Sequence, residues 1–308
     1  MKYARVYLLI LLAALVRVSL LPWQASQELG STGNPIKFVM TPSVDAQQIV
    51  TSADALIDFL EKETGYHYSY SVPASFIAVV EAFGTGKADI SIINTFSYLL
   101  AHEKYGAQAV LRVVRRDGET YYRGMFVSRR GSGIDSLPDI TGKRIAYVDP
   151  ASTSGYILPK ATLDRLGIHP AEEVFAMKHD NVITMVYQGQ VDVGAAYYSP
   201  PDKHTGEILD ARHRVKQQFP DVEDVIQIIG FTDSIPNDPV VVRKDLPESI
   251  VRKTIEALIK FQQTPEGRKA LWAIYSVEGF IETHDSDYDV LREILSGMGY
   301  NLEELMKK

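Results

Sequence analysis

The chain has 308 residues, 45% of them hydrophobic, and a formal charge of -7, enough to bury one large core or two medium ones. The acidic balance leaves no lysine and arginine stripe to release counterions, which argues against nucleic acid and against anionic membrane surfaces as partners. Because the sequence holds no cysteine, disulfides, thiolate metal sites, cysteine nucleophiles and a lipid-modified N-terminal cysteine are excluded.

Lys2 and Arg5 precede an apolar run from Val6 to Val16, the layout of an export leader and short for a spanning helix. Residues 1–25 are therefore read as a signal peptide or, because Trp23-Gln24-Ala25 marks a cleavage site badly, as an N-terminal anchor. A Gly, Ser, Thr and Asn linker follows, and Ile36-Lys37-Phe38-Val39-Met40 reads as the first strand, ending at Thr41. Ala53, Leu56, Ile57 and Leu60 then recur at helical spacing up to Gly65. Residues 66–72 alternate as a strand, Phe76 to Phe83 form a short helix, and Lys87 to Ile93 is apolar enough for a buried strand. The rhythm is that of a parallel sheet.

Asn94-Thr95-Phe96-Ser97-Tyr98 leaves that third strand as a loop and helix start. Ligands of open parallel sheets lie beyond the carboxyl ends of strands, which makes Thr41, Asn94 and Thr95 candidates. Tyr98 is read two ways, as a pocket wall or as packing beside Leu99 and Leu100. Val110–Val114 and Tyr121–Val127 look like strands joined by the turn Arg116-Asp117-Gly118-Glu119. A second unit opens at Gly131, with strands expected at 144–148, 173–177 and 191–197 and further ones at 225–229 and 240–242. The two halves rhyme, Gly-Lys-Ala-Asp-Ile in one and Gly-Gln-Val-Asp-Val in the other. Asp89 and Asp192 in those repeats read as residues that cap or turn ahead of a strand, not as a catalytic pair. Residues 233–239 read as a polar crossing. From Glu248 onward the apolar stripes are helical and carry no chemical motif.

The stretch the chain is organised around is Asp149-Pro150-Ala151-Ser152-Thr153-Ser154-Gly155-Tyr156-Ile157-Leu158-Pro159. It joins a strand's carboxyl end to a helix start, where the first amides lack internal partners and three hydroxyls gather, a ready cradle for an oxyanion. The alternative is that one serine simply caps the helix. Pro159 requires either that the helix begin near Leu158 or that its first turn open around Gly155. His179, after the next strand, is either a donor to a bound anion or a solvated bystander.

This loop, with Gly-Lys-Ala-Asp-Ile, the Ser-Tyr helix start, His179-Asp180 and Gly-Gln-Val-Asp-Val, resembles the phosphonate-binding branch of periplasmic solute-binding proteins of ABC transporters, over residues 36 to 280. The resemblance implies an α/β protein of the type II periplasmic binding fold, with two α/β lobes, a cleft between them and two hinge crossings near 126–131 and 230–236. Lobe 1 is expected over 36–127 plus 235–308, and lobe 2 over 131–230. It implies a periplasmic, monomeric protein that takes a small phosphonate, phosphite or phosphate-like oxyanion and passes it to an ABC permease, without cofactor, metal or catalytic residues.

The implied ligand residues are Ser152, Thr153, Ser154 and His179, and the same cleft would draw on Asn94, Thr95, Tyr98 and Tyr198. Ile93 and Asn94 stand where the family places an aromatic residue and its glycine neighbour, and Tyr197 and Tyr198 occupy the region beyond Ala196 where aminophosphonate binders carry an acidic residue, which disfavours an aminoalkyl phosphonate. A sensor module that presents a bound solute to a membrane signalling protein is the alternative on the same fold. A serine and histidine hydrolase is a third, without a placeable orienting acid or a nucleophile elbow.

Overall fold

The computed structural model describes residues 28–42, 46–297 and 299. The N-terminal segment expected to direct export lies outside them. In chain order the first part comprises β1 (Ile36–Met40), α1 (Ala46–Thr64), β2 (Tyr68–Ser71), α2 (Phe76–Gly84), β3 (Ile90–Ile92), α3 (Thr95–Tyr105) and β4 (Gln108–Val114). The middle comprises β5 (Tyr121–Arg129), β6 (Arg144–Tyr147), α4 (Leu158–Arg165), β7 (Glu172–Phe175), α5 (His179–Tyr187), β8 (Val193–Tyr198) and β9 (Ile226–Pro236). The return comprises β10 (Pro239–Val242), α6 (Glu248–Phe261), α7 (Pro265–Tyr275), β11 (Gly279–Glu282) and α8 (Asp289–Gly297).

The strands make two sheets, one of six in the order β11-β4-β10-β3-β1-β2 and one of five in the order β7-β6-β8-β5-β9. Within the first, β1 runs parallel to β2 (Ile36 opposite Tyr68) and to β3 (Phe38 opposite Ile90), while β10 is antiparallel to β3 (Val240 opposite Ile92). The second repeats the plan: β6 is parallel to β8 (Ile145 opposite Val193) and β5 antiparallel to β8 (Phe126 opposite Ala195). Each sheet with its helices is one α/β lobe.

The repeated aspartates explain part of this symmetry. Asp89 accepts the backbone amide of Lys37 at 2.8 Å, and Asp192 accepts that of Arg144 at 2.9 Å. Each carboxylate pins the start of a neighbouring strand, so the sequence rhyme is a structural device in both lobes.

The crossings fall elsewhere than expected. β5 pairs with β8 and β9 from its first residues, Tyr121 opposite Pro236 and Arg123 opposite Tyr198, so residues 121–127 belong to the second lobe. The crossings are the short links at 115–120 and 237–238. Residues 233–236 read as a polar loop because β9 is an edge strand, where one side meets solvent and polar residues or a terminal proline are tolerated. The return segment is also not wholly helical. β11 pairs antiparallel with β4, Phe280 opposite Val113, with Phe280 buried and Ile281 exposed, a strand alternation too short to stand out between helices.

One apolar cluster runs through the junction of the lobes. Phe76, Ile93, Phe96 and Leu99 of the first lobe are buried in it with Tyr122, Val148, Ala151 and Ile157 of the second. Closing the lobes over one another therefore removes large apolar side chains from water, about 1.5–3 kcal/mol for a fully buried one. A separate cluster of Phe38, Leu56, Leu60, Leu258 and Phe261 fills the far side of the first lobe.

Candidate functional site

Strand β6 delivers the hydroxyl-rich loop to the junction of the lobes. Asp149, buried, accepts the Ala151 amide with Oδ1 at 2.8 Å and the Phe76 amide, from the other lobe, with Oδ2 at 3.3 Å. Burial raises the pKa of this carboxyl, and the two amides oppose the shift. Ser152 then caps the turn, its Oγ accepting from the Gly155 amide at 3.2 Å.

Residues Thr153–Ile157 form a wide π turn in which the Tyr156 and Ile157 amides both reach the Ser152 carbonyl, at 3.0 and 2.9 Å. Pro159 is the cause. It has no N–H for the Gly155 carbonyl, which accepts from Val148 instead at 3.1 Å, and α4 starts at Leu158. Both consequences expected of Pro159 thus occur together. A Cβ on Gly155 would collide with Val148 and Ser152, so the turn closes only with glycine there. Among the described residues the amides of Thr153 and Ser154 have no hydrogen-bond partner, the condition for anion binding at a helix start.

The facing wall comes from Asn94 and the start of α3. The Thr153 hydroxyl donates to Asn94 Oδ1 at 2.8 Å and accepts the Phe96 amide at 2.8 Å, while Ser97 donates to the Ala151 carbonyl at 3.3 Å. Asn94 also caps α3, accepting from the Ser97 amide at 3.1 Å. The three hydroxyls therefore have different tasks: Ser152 caps, Thr153 ties the lobes, and Ser154 borders the phenol of Tyr122.

Between these walls lies a crevice lined by Thr41, Phe76, Asn94, Arg115, Tyr122, Ser152, Thr153, Ser154, His179, Tyr197, Arg214 and Asp238, with an empty volume of about 550 Å³ out to its mouth. It is electropositive. Arg115, from the first crossing, is 8% exposed and lies 5.2 Å above the Tyr122 ring and 5.9 Å from that of Tyr197. Arg214 donates through Nε to the Tyr197 hydroxyl at 3.1 Å and through Nη2 to Ser276 of the first lobe at 3.0 Å. Asp238, in the second crossing, faces Arg115 at 3.5 Å. Burial raises its pKa and Arg115 opposes the rise.

His179 is the first residue of α5, which lies tightly on β8 because a Cβ at Gly194 would meet Val182 and Val186. Its Nδ1 accepts the Tyr197 amide at 3.2 Å, so the proton of the neutral ring sits on Nε2 and is available as a donor. Burial, with Arg214 and Arg115 nearby, pushes its pKa down to about 3. A cation at this position would compete with the arginines, and the ring serves as a neutral donor.

Of the residues expected from sequence, Thr41, Asn94, Ser152, Thr153, Ser154 and His179 line one crevice. The other three do not. Thr95 is fully buried and donates to the Pro236 carbonyl at 2.7 Å, bracing the second crossing. Tyr98 is fully buried as well, donates to Asp285 at 2.6 Å and packs edge-on against Tyr288 at 4.9 Å, the packing alternative. Tyr198 points to the opposite sheet face from Tyr197 and packs on Phe231 at 4.6 Å. Sequence reasoning missed Arg115, Tyr122, Tyr197, Arg214 and Asp238. Arg115 adjoins a turn signal that hid it, and nothing local to Tyr122 or Arg214 distinguishes them.

Two α/β lobes with strand order broken by two crossings, closing on an electropositive crevice at the ends of their strands, define a solute-binding protein of the type II periplasmic architecture. The chain belongs to the family described as ABC transporter, phosphonate, periplasmic substrate-binding protein, whose model matches residues 38–288; members of this family are transporter components that bind solutes, not enzymes. It is 28% identical over 181 residues to the phosphate-import protein PhnD of Mycolicibacterium smegmatis, covering 54% of this chain and 56% of that protein. It is 24% identical over 219 residues to the phosphonates-binding periplasmic protein of Escherichia coli, covering 69% of this chain and 62% of that one. Both matches thus span less than two thirds of those relatives' lengths.

The fold is shared with a binding protein component of an ABC phosphonate transporter from Pseudomonas aeruginosa, at a TM-score of 0.75 and 19% identity over 86% of each chain. It is shared also with PhnD1 of Prochlorococcus marinus, solved in complex with methylphosphonate, at a TM-score of 0.72 and 18% identity over 86% of this chain and 98% of that one.

Proposed function

We propose that this chain binds a small phosphonate, phosphite or phosphate-like oxyanion between its lobes in the periplasm and delivers it to the permease of an ABC transporter. The observation that carries the reading is the convergence of two guanidiniums, Arg115 and Arg214, with the partnerless Thr153 and Ser154 amides and the neutral His179 on one crevice. Such donors are preorganised for a tetrahedral anion and require no metal. Donors of the second lobe and of the first crossing meet one guest against the first-lobe wall of Thr41 and Asn94, so ligand binding and lobe closure reinforce each other. Family membership and the relatives' named ligands support the chemical class. Export is assigned to residues 1–25, and the binding unit acts as a monomer.

Titration calorimetry of the full chain against phosphate, phosphite and methylphosphonate tests the reading. One saturable site is expected, and replacement of Arg214 by Met should weaken it by roughly 10- to 100-fold, the worth of one or two charge-assisted hydrogen bonds. No heat with any of the three, or affinity indifferent to that change, contradicts it.

A further inference from the structure

In the first lobe α7 ends on Ser276, whose backbone is left-handed (φ 54°, ψ 42°), with its amide on the Trp272 carbonyl at 2.9 Å and the Val277 amide on that of Leu271 at 3.3 Å. Glycine is the usual residue at such a helix end, because a Cβ strains the left-handed turn. The chain follows that rule elsewhere: Gly65 after α1 and Gly106 after α3 take the same turn at φ 74° and 70°. Ser276 therefore holds a strain that the helix end itself does not require. Its Oγ accepts Arg214 Nη2 of the second lobe at 3.0 Å, while Arg214 Nε donates to the Tyr197 hydroxyl of its own lobe at 3.1 Å. Two points thus fix the plane of the guanidinium, and Nη1 makes no hydrogen bond among the described residues. Arg214 lines the crevice, whereas Ser276 lies outside it.

Resting on the oxyanion reading above, we propose that Ser276 is a positioning residue: on lobe closure its hydroxyl receives Arg214 and turns the guanidinium toward the anion, so that closure and affinity are linked from outside the crevice. The two residues belong to different lobes, so their bond exists only when the lobes meet. The corner itself has other anchors. Arg116, from the first crossing, lies 4.6 Å from the centre of the Trp272 ring, and it pairs with Glu278 at 3.0 Å and with Asp202 of the second lobe at 3.2 Å. Removing the hydroxyl therefore leaves α7 docked and releases the guanidinium alone. A purely structural serine would behave in the opposite way: glycine would serve the helix end better, and ligand affinity would not change.

Calorimetry of the full chain with methylphosphonate, and thermal unfolding without ligand, test this in Ser276→Gly and Ser276→Asn. Glycine relieves the backbone and deletes the acceptor: Tm should stay level or rise, while affinity falls roughly 3- to 10-fold, the worth of one hydrogen bond. Asparagine tolerates the left-handed turn and restores an acceptor oxygen, so affinity should return to within about twofold of the wild type. In an Arg214→Met background Ser276→Gly should leave affinity within about twofold, because the group it positions is gone. Affinity unmoved by Ser276→Gly overturns the proposal, as does a Tm lowered by glycine, a loss of the same size in the Arg214→Met background, or a loss that asparagine does not restore. Any of these with methylphosphonate bound by the wild type defeats this proposal alone, whereas binding of no oxyanion by the wild type defeats the underlying reading with it.

Discussion

Replacing Thr153 by Val tests whether lobe closure depends on one hydroxyl. The side chain is fully buried, and its Oγ1 makes two contacts to the other lobe, accepting from the Phe96 amide and donating to Asn94 Oδ1, each at 2.8 Å. Valine keeps the shape and loses both. Asn94 Oδ1 retains the Ser97 amide at 3.1 Å, so the main cost is the Phe96 amide, buried without an acceptor when the lobes close. An unsatisfied buried donor costs about 1–3 kcal/mol, and in the open form water would satisfy it. The penalty therefore falls on closure, and ligand affinity should drop roughly 5- to 150-fold. Calorimetry with methylphosphonate reads the effect, with thermal unfolding as a control for the fold. Affinity within twofold of the wild type would show that the lobes do not close on this contact.

Other expectations follow from the same geometry. Ser152→Ala removes only a cap, the bond to the Gly155 amide, and should lower stability by about 1 kcal/mol, or roughly 2–4 °C in Tm, with a smaller effect on affinity than Thr153→Val. His179, with a pKa pushed down to about 3, stays neutral in the folded state while the unfolded chain takes up its proton below about 6.5. The unfolded state then binds more protons, so this group removes stability as pH falls from about 6.5 toward 3, by up to ~1.4 kcal/mol per pH unit, and contributes no slope above that window. Denaturant unfolding as a function of pH should show a shallower acid loss in His179→Gln; an identical slope refutes the assignment. Nuclear magnetic resonance of the ring should show no titration between pH 5 and 8.

Much of this was legible because it is local. The loop after β6 concentrates a strand end, a cap, a glycine forced by Val148 and a proline that opens the turn, and each leaves a mark within eleven residues, Asp149 to Pro159. The repeated aspartates likewise announce the two parallel halves before any coordinate is known. What the sequence hid is what the tertiary structure assembles. Arg115 sits beside a turn signal, Arg214 in a short helical turn, and Asp238 in a crossing of two residues; they meet only because the lobes do. Tyr197 and Tyr198 differ by one position and hence by sheet face, and a one-residue ambiguity in strand phase suffices to select the wrong one. Pro236, the end of an edge strand, carries the same polar signature as a loop, which displaced the expected crossing.

A crystal structure of the full chain grown with methylphosphonate tests the central claim most directly. The account predicts the phosphorus oxygens between the lobes, within about 3.2 Å of the Thr153 and Ser154 amides and of the Arg115 and Arg214 guanidiniums. Methylphosphonate bound outside the crevice, or a crevice closed with the ligand excluded, would contradict it.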